Sequence, residues 1–110
     1  MKQVAIITGG GQGIGAATSV LAAQRGYAVC VNYRTNETSA DSVVCRIRNA
    51  GGTAIAVQAD VSNEDEVERL FQTTDEKLGP VTALVNNAGI LEQQMKFEEM
   101  TYDRWKRIFD

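Results

Sequence analysis

Residues 4–15 read VAIITGGGQGIG, an apolar run followed at once by a glycine-rich turn. The run Val4 to Ile7 has the length and the Val/Ile content of a strand that is buried on both faces. Glycines permit a sharp turn and let the backbone approach a ligand with no Cβ in the way. A helix that starts after such a turn offers unpaired N–H groups and a positive dipole end to a phosphate. The segment therefore predicts a strand, an anion-binding turn and a helix, with a purely structural turn as the alternative.

Four apolar runs of this kind recur along the chain, at Val4 to Ile7, Ala28 to Val31, Ala54 to Val57 and Val81 to Val85. They start 24, 26 and 27 residues apart, and each gap holds a helical pattern. This order is typical of a repeated strand-helix unit. Crossovers this short between buried parallel strands are right-handed and place helices on both sides of the sheet. We therefore predict an α/β fold, a Rossmann-like doubly wound parallel sheet of four strands with flanking helices.

The helical patterns also predict which residues face the core. The first pattern ends at Gly26 and carries Ile14, Ala17, Leu21 and Ala22 on one stripe. The second ends before Gly51 and carries Ala40, Val43, Val44 and Ile47. The third has Ser62 as its predicted N-cap, acidic residues in the first turn, and Val67, Leu70, Phe71, Thr74 and Leu78 at helical spacing.

The composition excludes several classes of protein. The chain has 110 residues and a net charge of −3, and 44% of its residues are hydrophobic. This length and hydrophobic content suffice for one core without disulfides or metals. The absence of a basic cluster argues against a nucleic-acid partner, and no run approaches the roughly 18 apolar residues of a membrane span. Because Cys30 and Cys45 are not spaced as a CxxC pair and histidine is absent, no metal site is expected. We expect two reduced thiols and a cytoplasmic location.

The C-terminal stretch predicts a helix that the sequence does not finish. Thr101 is its expected N-cap, and the apolar residues that follow are Tyr102, Trp105, Ile108 and Phe109, with no Gly or Pro stop before Asp110. The fourth strand would also be an apolar edge with no neighbour. We therefore expect residues 1–110 to form a dinucleotide-binding domain that is incomplete at its C-terminus.

Three motifs in order carry a family resemblance. Thr8, Gly9, Gly13 and Gly15 fit the pattern TGxxxGxG, residues 60–61 are the pair Asp-Val, and residues 86–89 read NNAG. With these motifs, the stretch from residue 3 to 110 resembles the short-chain dehydrogenase/reductase family, a doubly wound Rossmann fold of about twice this length. The absence of a following Gly-Lys-Ser/Thr excludes a P-loop.

The resemblance implies a cofactor site. It implies that Gly9, Gln12, Gly13 and Ile14 line the pyrophosphate and nicotinamide side, that Asp60 and Val61 hold the adenine, and that Asn87, Ala88 and Gly89 contact the adenosine ribose and steady the sheet. Two alternatives remain open, because Asp60 fits a loop carboxylate ahead of a helix and Asn86 fits a turn residue with no ligand.

The end of the second strand predicts the choice of cofactor. NAD-specific sites of this fold place an acidic residue there to bind the ribose hydroxyls. Here the segment reads Val31-Asn32-Tyr33-Arg34, so we assign Asn32, Tyr33 and Arg34 to the cofactor site, with Arg34 offering its donors to a 2′-phosphate. Gln12 occupies a place where many NADP-preferring members carry a basic residue. The prediction is NADP, with NAD as a second cofactor, and an ordinary solvated arginine as the alternative for Arg34.

The catalytic groups of the family are a Ser, a Tyr-x-x-x-Lys pair and an Asn, and we assign no residue of this chain to them. Tyr102 and Lys106 have the right spacing, but they lie soon after the NNAG motif and before any fifth strand. The resemblance implies hydride transfer between NADP(H) and a small carbonyl or alcohol, in a homo-oligomer that is a dimer or tetramer, with the catalytic groups beyond Asp110. The alternative is a non-catalytic dinucleotide-binding or redox-sensing module.

Overall fold

The computed structural model describes residues 3–87. In chain order its elements are β1 (Val4–Ile7), α1 (Gly13–Gln24), β2 (Ala28–Tyr33), α2 (Glu37–Asn49), β3 (Thr53–Gln58), α3 (Glu64–Leu78) and β4 (Ala83–Val85). Within this range the strands form one parallel sheet in the order β3-β2-β1-β4. The predicted α/β fold with parallel strands is confirmed. The helix predicted after Thr101 lies outside the described residues.

The position of β1 decides where a ligand can bind. The chain moves from β1 to β2 and β3 on one side, and then returns to place β4 on the other side of β1. In open sheets of this kind, ligands bind in the crevice at the carboxyl ends of the strands where the strand order reverses. Here that point lies between Ile7 and Val85, which are paired at the ends of β1 and β4.

Two apolar clusters cover the two faces of the sheet. One combines α1 and α2 with the sheet and contains Ala5, Ile7, Ala22, Val29, Val31, Ala40, Val43, Val44, Ile47, Ala54, Ala83 and Val85. The other, the α3-side cluster, contains Ile6, Cys30, Val57, Ala59, Val67, Leu70, Phe71 and Leu84. Successive strand residues alternate between the clusters, as the pleat requires. The predicted placement of helices on both faces is confirmed.

Three of the predicted strands differ from those observed. β2 extends past the apolar run to Tyr33, and β3 extends by one residue at each end. β3 is not buried on both faces, because it lies at an edge of the described sheet and Ile55 and Ala56 are only half-buried. β4 begins at Ala83 rather than Val81. The N–H of Val81 donates to the Asp75 carboxylate at 3.2 Å, so this residue belongs to the turn that leaves α3.

The predicted core stripe of α1 is wrong except at Ala22. The side chains of Ile14 and Leu21 are 66% and 42% exposed, and Ala17 is also exposed. The buried residues of α1 are Gly15, Ser19 and Ala22. Gly15 and Ser19 lie against the turn that precedes α1, because a Cβ on Gly15 would collide with the carbonyl of Gly9 and the Ser19 hydroxyl donates to the carbonyl of Gly10 at 3.2 Å. Close packing of α1 on the glycine turn, rather than hydrophobicity, therefore determines which face of α1 is buried.

The predicted stripes of α2 and α3 are confirmed apart from Leu78, which is half-buried. The predicted N-cap of α3 is wrong by one residue. Asn63 is the cap and its side chain accepts from the N–H of Glu66 at 3.2 Å. Ser62 instead donates its own N–H and hydroxyl to Asp60.

Candidate functional site

The turn between β1 and α1 has a backbone that requires glycine at several places. Gly9 and Gly13 have φ angles of 60° and 53°, in the left-handed region that other residues rarely adopt. A Cβ on Gly15 would collide with the Gly9 carbonyl and the amide of Asn87. A Cβ on Gly13, in contrast, would meet no described atom within 4 Å. With respect to residues 3–87, the space beside Gly13 is therefore open, whereas Gly15 is closed in by packing.

The N-terminus of α1 lies at this space and has no side-chain cap in the part of the chain that the structure describes. Gln12 occupies the N-cap position with extended backbone angles, and within the described residues its side chain caps no N–H. The first helical bond runs from the Ala16 N–H to the Gln12 carbonyl at 3.2 Å, so the N–H groups of residues 13–15 precede the helical ladder. The first turn also contains no acidic side chain. The helix thus offers donors and a positive dipole end to an anion.

Polar residues join the carboxyl ends of β1 and β4 beside this turn. Thr8 donates its N–H to the Val85 carbonyl at 3.0 Å, and its hydroxyl accepts from the Asn87 N–H at 2.7 Å. The side chain of Asn87 donates to the Gly9 carbonyl at 3.3 Å. Asn86 Nδ2 is buried and has no hydrogen-bond partner among residues 3–87. Asn87 therefore fixes the start of the glycine turn, while Ala88 and Gly89 lie outside the described residues.

The Asn32 side chain, assigned to the cofactor site from sequence, is occupied by protein contacts. It is 1% exposed, and its Nδ2 donates to the carbonyls of Val57 and Ala59, both at 3.2 Å. Its backbone carbonyl accepts from the Gly10 N–H at 3.0 Å. Asn32 therefore holds the end of β3 and the glycine turn to the end of β2.

Tyr33 and Arg34 follow at the end of β2. The Tyr33 hydroxyl donates to the Glu37 carboxylate at 3.2 Å. Partial burial, followed by this hydrogen bond and the charge of Glu37, raises the pKa of Tyr33. The backbone carbonyl of Arg34 accepts from the side chain of Gln58 at 3.0 Å, whereas the Arg34 side chain is 74% exposed. The Arg34 backbone is therefore fixed by the Gln58 side chain, whereas the Arg34 guanidinium faces solvent.

Asp60 lies opposite Arg34, at the turn between β3 and α3. Its Oδ1 accepts from the Ser62 N–H at 3.0 Å and from the Ser62 hydroxyl at 2.6 Å. Its Oδ2 lies 3.7 Å from Arg34 Nε. The hydrogen bonds from Ser62, and secondarily the charge of Arg34, hold the pKa of Asp60 below its ordinary value. Asp60 is therefore a structured, ionised loop carboxylate.

The remaining predicted site residues lie on the same edge of the sheet. Gln12 and Ile14 are exposed beside the glycine turn. Val61 is half-buried and packs against the α3-side cluster.

Among residues 3–87 no helix is both long and apolar enough to cross a membrane, and no group of three His, Cys, Asp or Glu side chains is placed to hold a metal.

Three contacts at this edge were missed from the sequence. A Cβ on Gly11 would lie 2.8 Å from the N–H nitrogen of Ala40, so the glycine turn packs directly on α2. Glu66 accepts from the Asp60 N–H at 2.9 Å, whereas the capping-box spacing of Asn63 and Glu66 would direct this side chain to the Asn63 N–H. Nothing in the sequence pattern indicates the bond from Gln58 to Arg34.

A family profile described as short chain dehydrogenase matches residues 3–110. The chain belongs to the short-chain dehydrogenase family. It is 47% identical over 105 residues to the uncharacterized oxidoreductase YgfF of Escherichia coli K12, which is 96% of this chain and 42% of that protein. It is 45% identical over 108 residues to a 3-oxoacyl-[acyl-carrier-protein] reductase of Synechocystis, 98% of this chain and 43% of that protein.

Solved structures of short-chain dehydrogenases share the fold of the chain. A short chain dehydrogenase from Mycobacterium avium superposes with a TM-score of 0.75 at 38% identity, covering 84% of this chain and 36% of that one. A dehydrogenase/reductase from Sinorhizobium meliloti gives 0.77 at 41% identity, covering 80% and 35%. The chain thus spans about two fifths of the length of its curated relatives. Short-chain dehydrogenases in general bind NAD or NADP.

Proposed function

We propose that this chain forms the cofactor-binding part of an NADP-dependent oxidoreductase that transfers a hydride between NADP(H) and a small carbonyl or alcohol. The observation that carries the proposal is the open space at Gly13, with the uncapped N-terminus of α1 beside it. A dinucleotide pyrophosphate is an anion of the kind that such a helix start binds. When bound, the nicotinamide would supply or accept the hydride.

The residues of the glycine turn fit a pyrophosphate. Gly13 would let the phosphates approach the backbone, and the N–H groups at the start of α1 would donate to them. Asn87 would contribute indirectly, because its side chain holds the Gly9 carbonyl and so maintains the shape of the turn. Gln12 and Ile14 are exposed at the same place and are available for contact. In the proposal, Ala88 and Gly89 keep the ribose role that the family implies.

Arg34 supports NADP over NAD. Its Nη1 and Nη2 atoms have no protein partner within the described part of the chain, and no acidic residue follows β2 before it. A guanidinium fork that is free on one side suits a 2′-phosphate. Tyr33 and Asp60 flank it, and Val61 lies next to Asp60, where the adenine would be held.

The experiment is a calorimetric titration of NADP and NAD into the protein and into its Arg34→Ala variant. We expect the variant to lose about 1.5 to 3 kcal/mol of NADP affinity, the size of a hydrogen bond to a charged group, and little NAD affinity. Arg25→Ala is the matched control, because Arg25 is an exposed arginine at the other end of α1. Equal losses for the two cofactors would contradict the role of Arg34.

Two further parts of the proposal need separate measurements. We propose a homo-oligomer, a dimer or tetramer, as the family resemblance implies, and we keep the cytoplasmic location expected from the sequence. Sedimentation velocity tests the first and cell fractionation the second. NADPH absorbance with a panel of small carbonyls tests the chemistry in the native protein. Tight NADP binding without turnover would favour the alternative, a dinucleotide-binding or redox-sensing module.

A further inference from the structure

The ion pair formed by Arg34 and Asp60 engages only one side of the Arg34 guanidinium. The distance from Arg34 Nε to Asp60 Oδ2 is 3.7 Å, which is within ion-pair range but too long for a hydrogen bond. The carboxylate thus faces the Nε side of the guanidinium, and the two Nη atoms remain for another anion. A fixed negative charge lies behind the group that we expect to bind the 2′-phosphate.

The carboxylate of Asp60 is held in this position by its own loop. Both hydrogen bonds to Oδ1 come from Ser62, and the Asp60 N–H donates to Glu66 at 2.9 Å. Because Ser62 and then Arg34 lower its pKa, Asp60 stays ionised at neutral pH. Its charge is therefore present whether or not a cofactor is bound.

We propose that Asp60 is a specificity-determining residue that reduces the preference of this site for NADP over NAD. The inference rests on the proposed function. When NAD is bound, Arg34 remains paired with Asp60, and no 2′-phosphate is present for Asp60 to repel. With NADP, the 2′-phosphate gains Arg34 but also meets the field of Asp60, so part of the attraction is cancelled.

Asp60 could also favour the binding of NADP by orienting Arg34, but this effect is smaller than the repulsion between Asp60 and the 2′-phosphate. An exposed ion pair at this distance restrains a long side chain weakly and contributes little free energy. The repulsion needs no contact, because it acts over about one Debye length, roughly 8 Å at physiological ionic strength. The charge term therefore outweighs the orienting term.

The test compares Asp60→Asn with the wild-type protein by measuring Kd for NADP and for NAD by calorimetry. The ratio of the Kd for NAD to the Kd for NADP isolates the 2′-phosphate, because both cofactors carry the same adenine and any contact of residue 60 with the adenine cancels. We expect the preference for NADP to rise about threefold to tenfold at low ionic strength and the increase to shrink as salt is added.

Glu76→Gln is the matched control, since it removes the same charge from an exposed position in the last turn of α3. We expect it to leave the ratio within about twofold, because the length of α3 separates this position from the turn that holds Asp60 by roughly 15 Å, which is more than one Debye length. If Asp60→Asn fails to fold by circular dichroism, Asp60→Ser replaces it, because a serine hydroxyl can still accept from the loop N–H.

The outcomes separate the two proposals. An unchanged or lower ratio in the Asp60 variant, or an equal loss of both cofactors, overturns the specificity role while leaving dinucleotide binding intact as a property of the wild-type protein. An equal rise in Glu76→Gln also overturns it, because net charge would then be the cause. If the wild-type protein binds neither dinucleotide, the proposed function fails and this inference fails with it.

Discussion

Helices α1 and α3 begin in opposite ways. α3 is capped by the Asn63 side chain and has Glu64, Asp65 and Glu66 in its first turn. α1 begins at Gly13 after an N-cap whose side chain caps nothing in the described structure, and it has no acid in its first turn. The protein therefore satisfies the positive end of α3 with its own groups, whereas at α1 no side chain among residues 3–87 does so. In the proposed function, this difference gives one helix start a role in stability and the other a role in ligand binding.

The largest effect is expected from Gly13→Val. A β-branched side chain would fill the open space beside the turn and remove several charge-assisted hydrogen bonds to the pyrophosphate, each of about 1.5 to 3 kcal/mol. We therefore expect affinity for NADP and for NAD to fall about 100-fold or more, as measured by calorimetry. This would confirm that the N-terminus of α1 holds the anion.

Gly51→Val is the matched control for this variant. Gly51 also has a positive φ, 89°, and open space around its Cβ position, but it follows α2 at the opposite end of the strands. Both variants carry the cost of a side chain in a left-handed conformation, about 1 to 2 kcal/mol of folding free energy. Only Gly13→Val should lose the dinucleotide. Binding that is lost in both would make backbone strain the cause.

A smaller effect is expected when α1 is made to resemble α3. Gln12→Asp places a carboxylate at an N-cap position whose extended backbone suits capping. We expect the free energy of unfolding to rise by about 0.5 to 1 kcal/mol and dinucleotide affinity to fall about tenfold, because the new charge occupies the donors and repels the pyrophosphate.

Denaturant unfolding and calorimetry measure the two quantities on the same preparation. Gln72→Asp, on the exposed face of α3, controls for the added charge and should leave dinucleotide affinity nearly unchanged. Tighter dinucleotide binding in Gln12→Asp would show that the N-terminus of α1 is not the anion site.

The sequence predicts most of the fold because the deciding signals are local. Continuous Val/Ile runs mark the strands, and regular apolar spacing marks the buried faces of α2 and α3. α1 is the exception, since its buried face consists of Gly15, Ser19 and Ala22. Gly15 and Ser19 become buried there through contacts with Gly9 and Gly10, which a hydrophobicity pattern does not contain.

The candidate site divides in the same way. The glycine turn and Arg34 are recognisable from residue type and spacing. The pairing of Arg34 with Asp60 depends on β2 and β3 being neighbours, with Tyr33 opposite Gln58 at their ends. The burial of the Asn32 side chain against the end of β3 depends on side-chain packing. A polar residue near a predicted site is therefore ambiguous until its hydrogen bonds are known.

The smallest expected effect comes from removing the cap of α3. Asn63→Ala deprives the Glu66 N–H of its acceptor, so we expect the free energy of unfolding to fall by about 1 kcal/mol in denaturant titrations. Asn63→Ser retains a capping oxygen and should stay close to wild type. Dinucleotide affinity should change far less than in Gln12→Asp, because the three acidic residues in the first turn of α3 oppose the binding of an anion there. If Asn63→Ala instead lost the dinucleotide as strongly as Gln12→Asp does, the start of α3 would also serve the ligand, and the division between a structural and a binding helix start would be wrong.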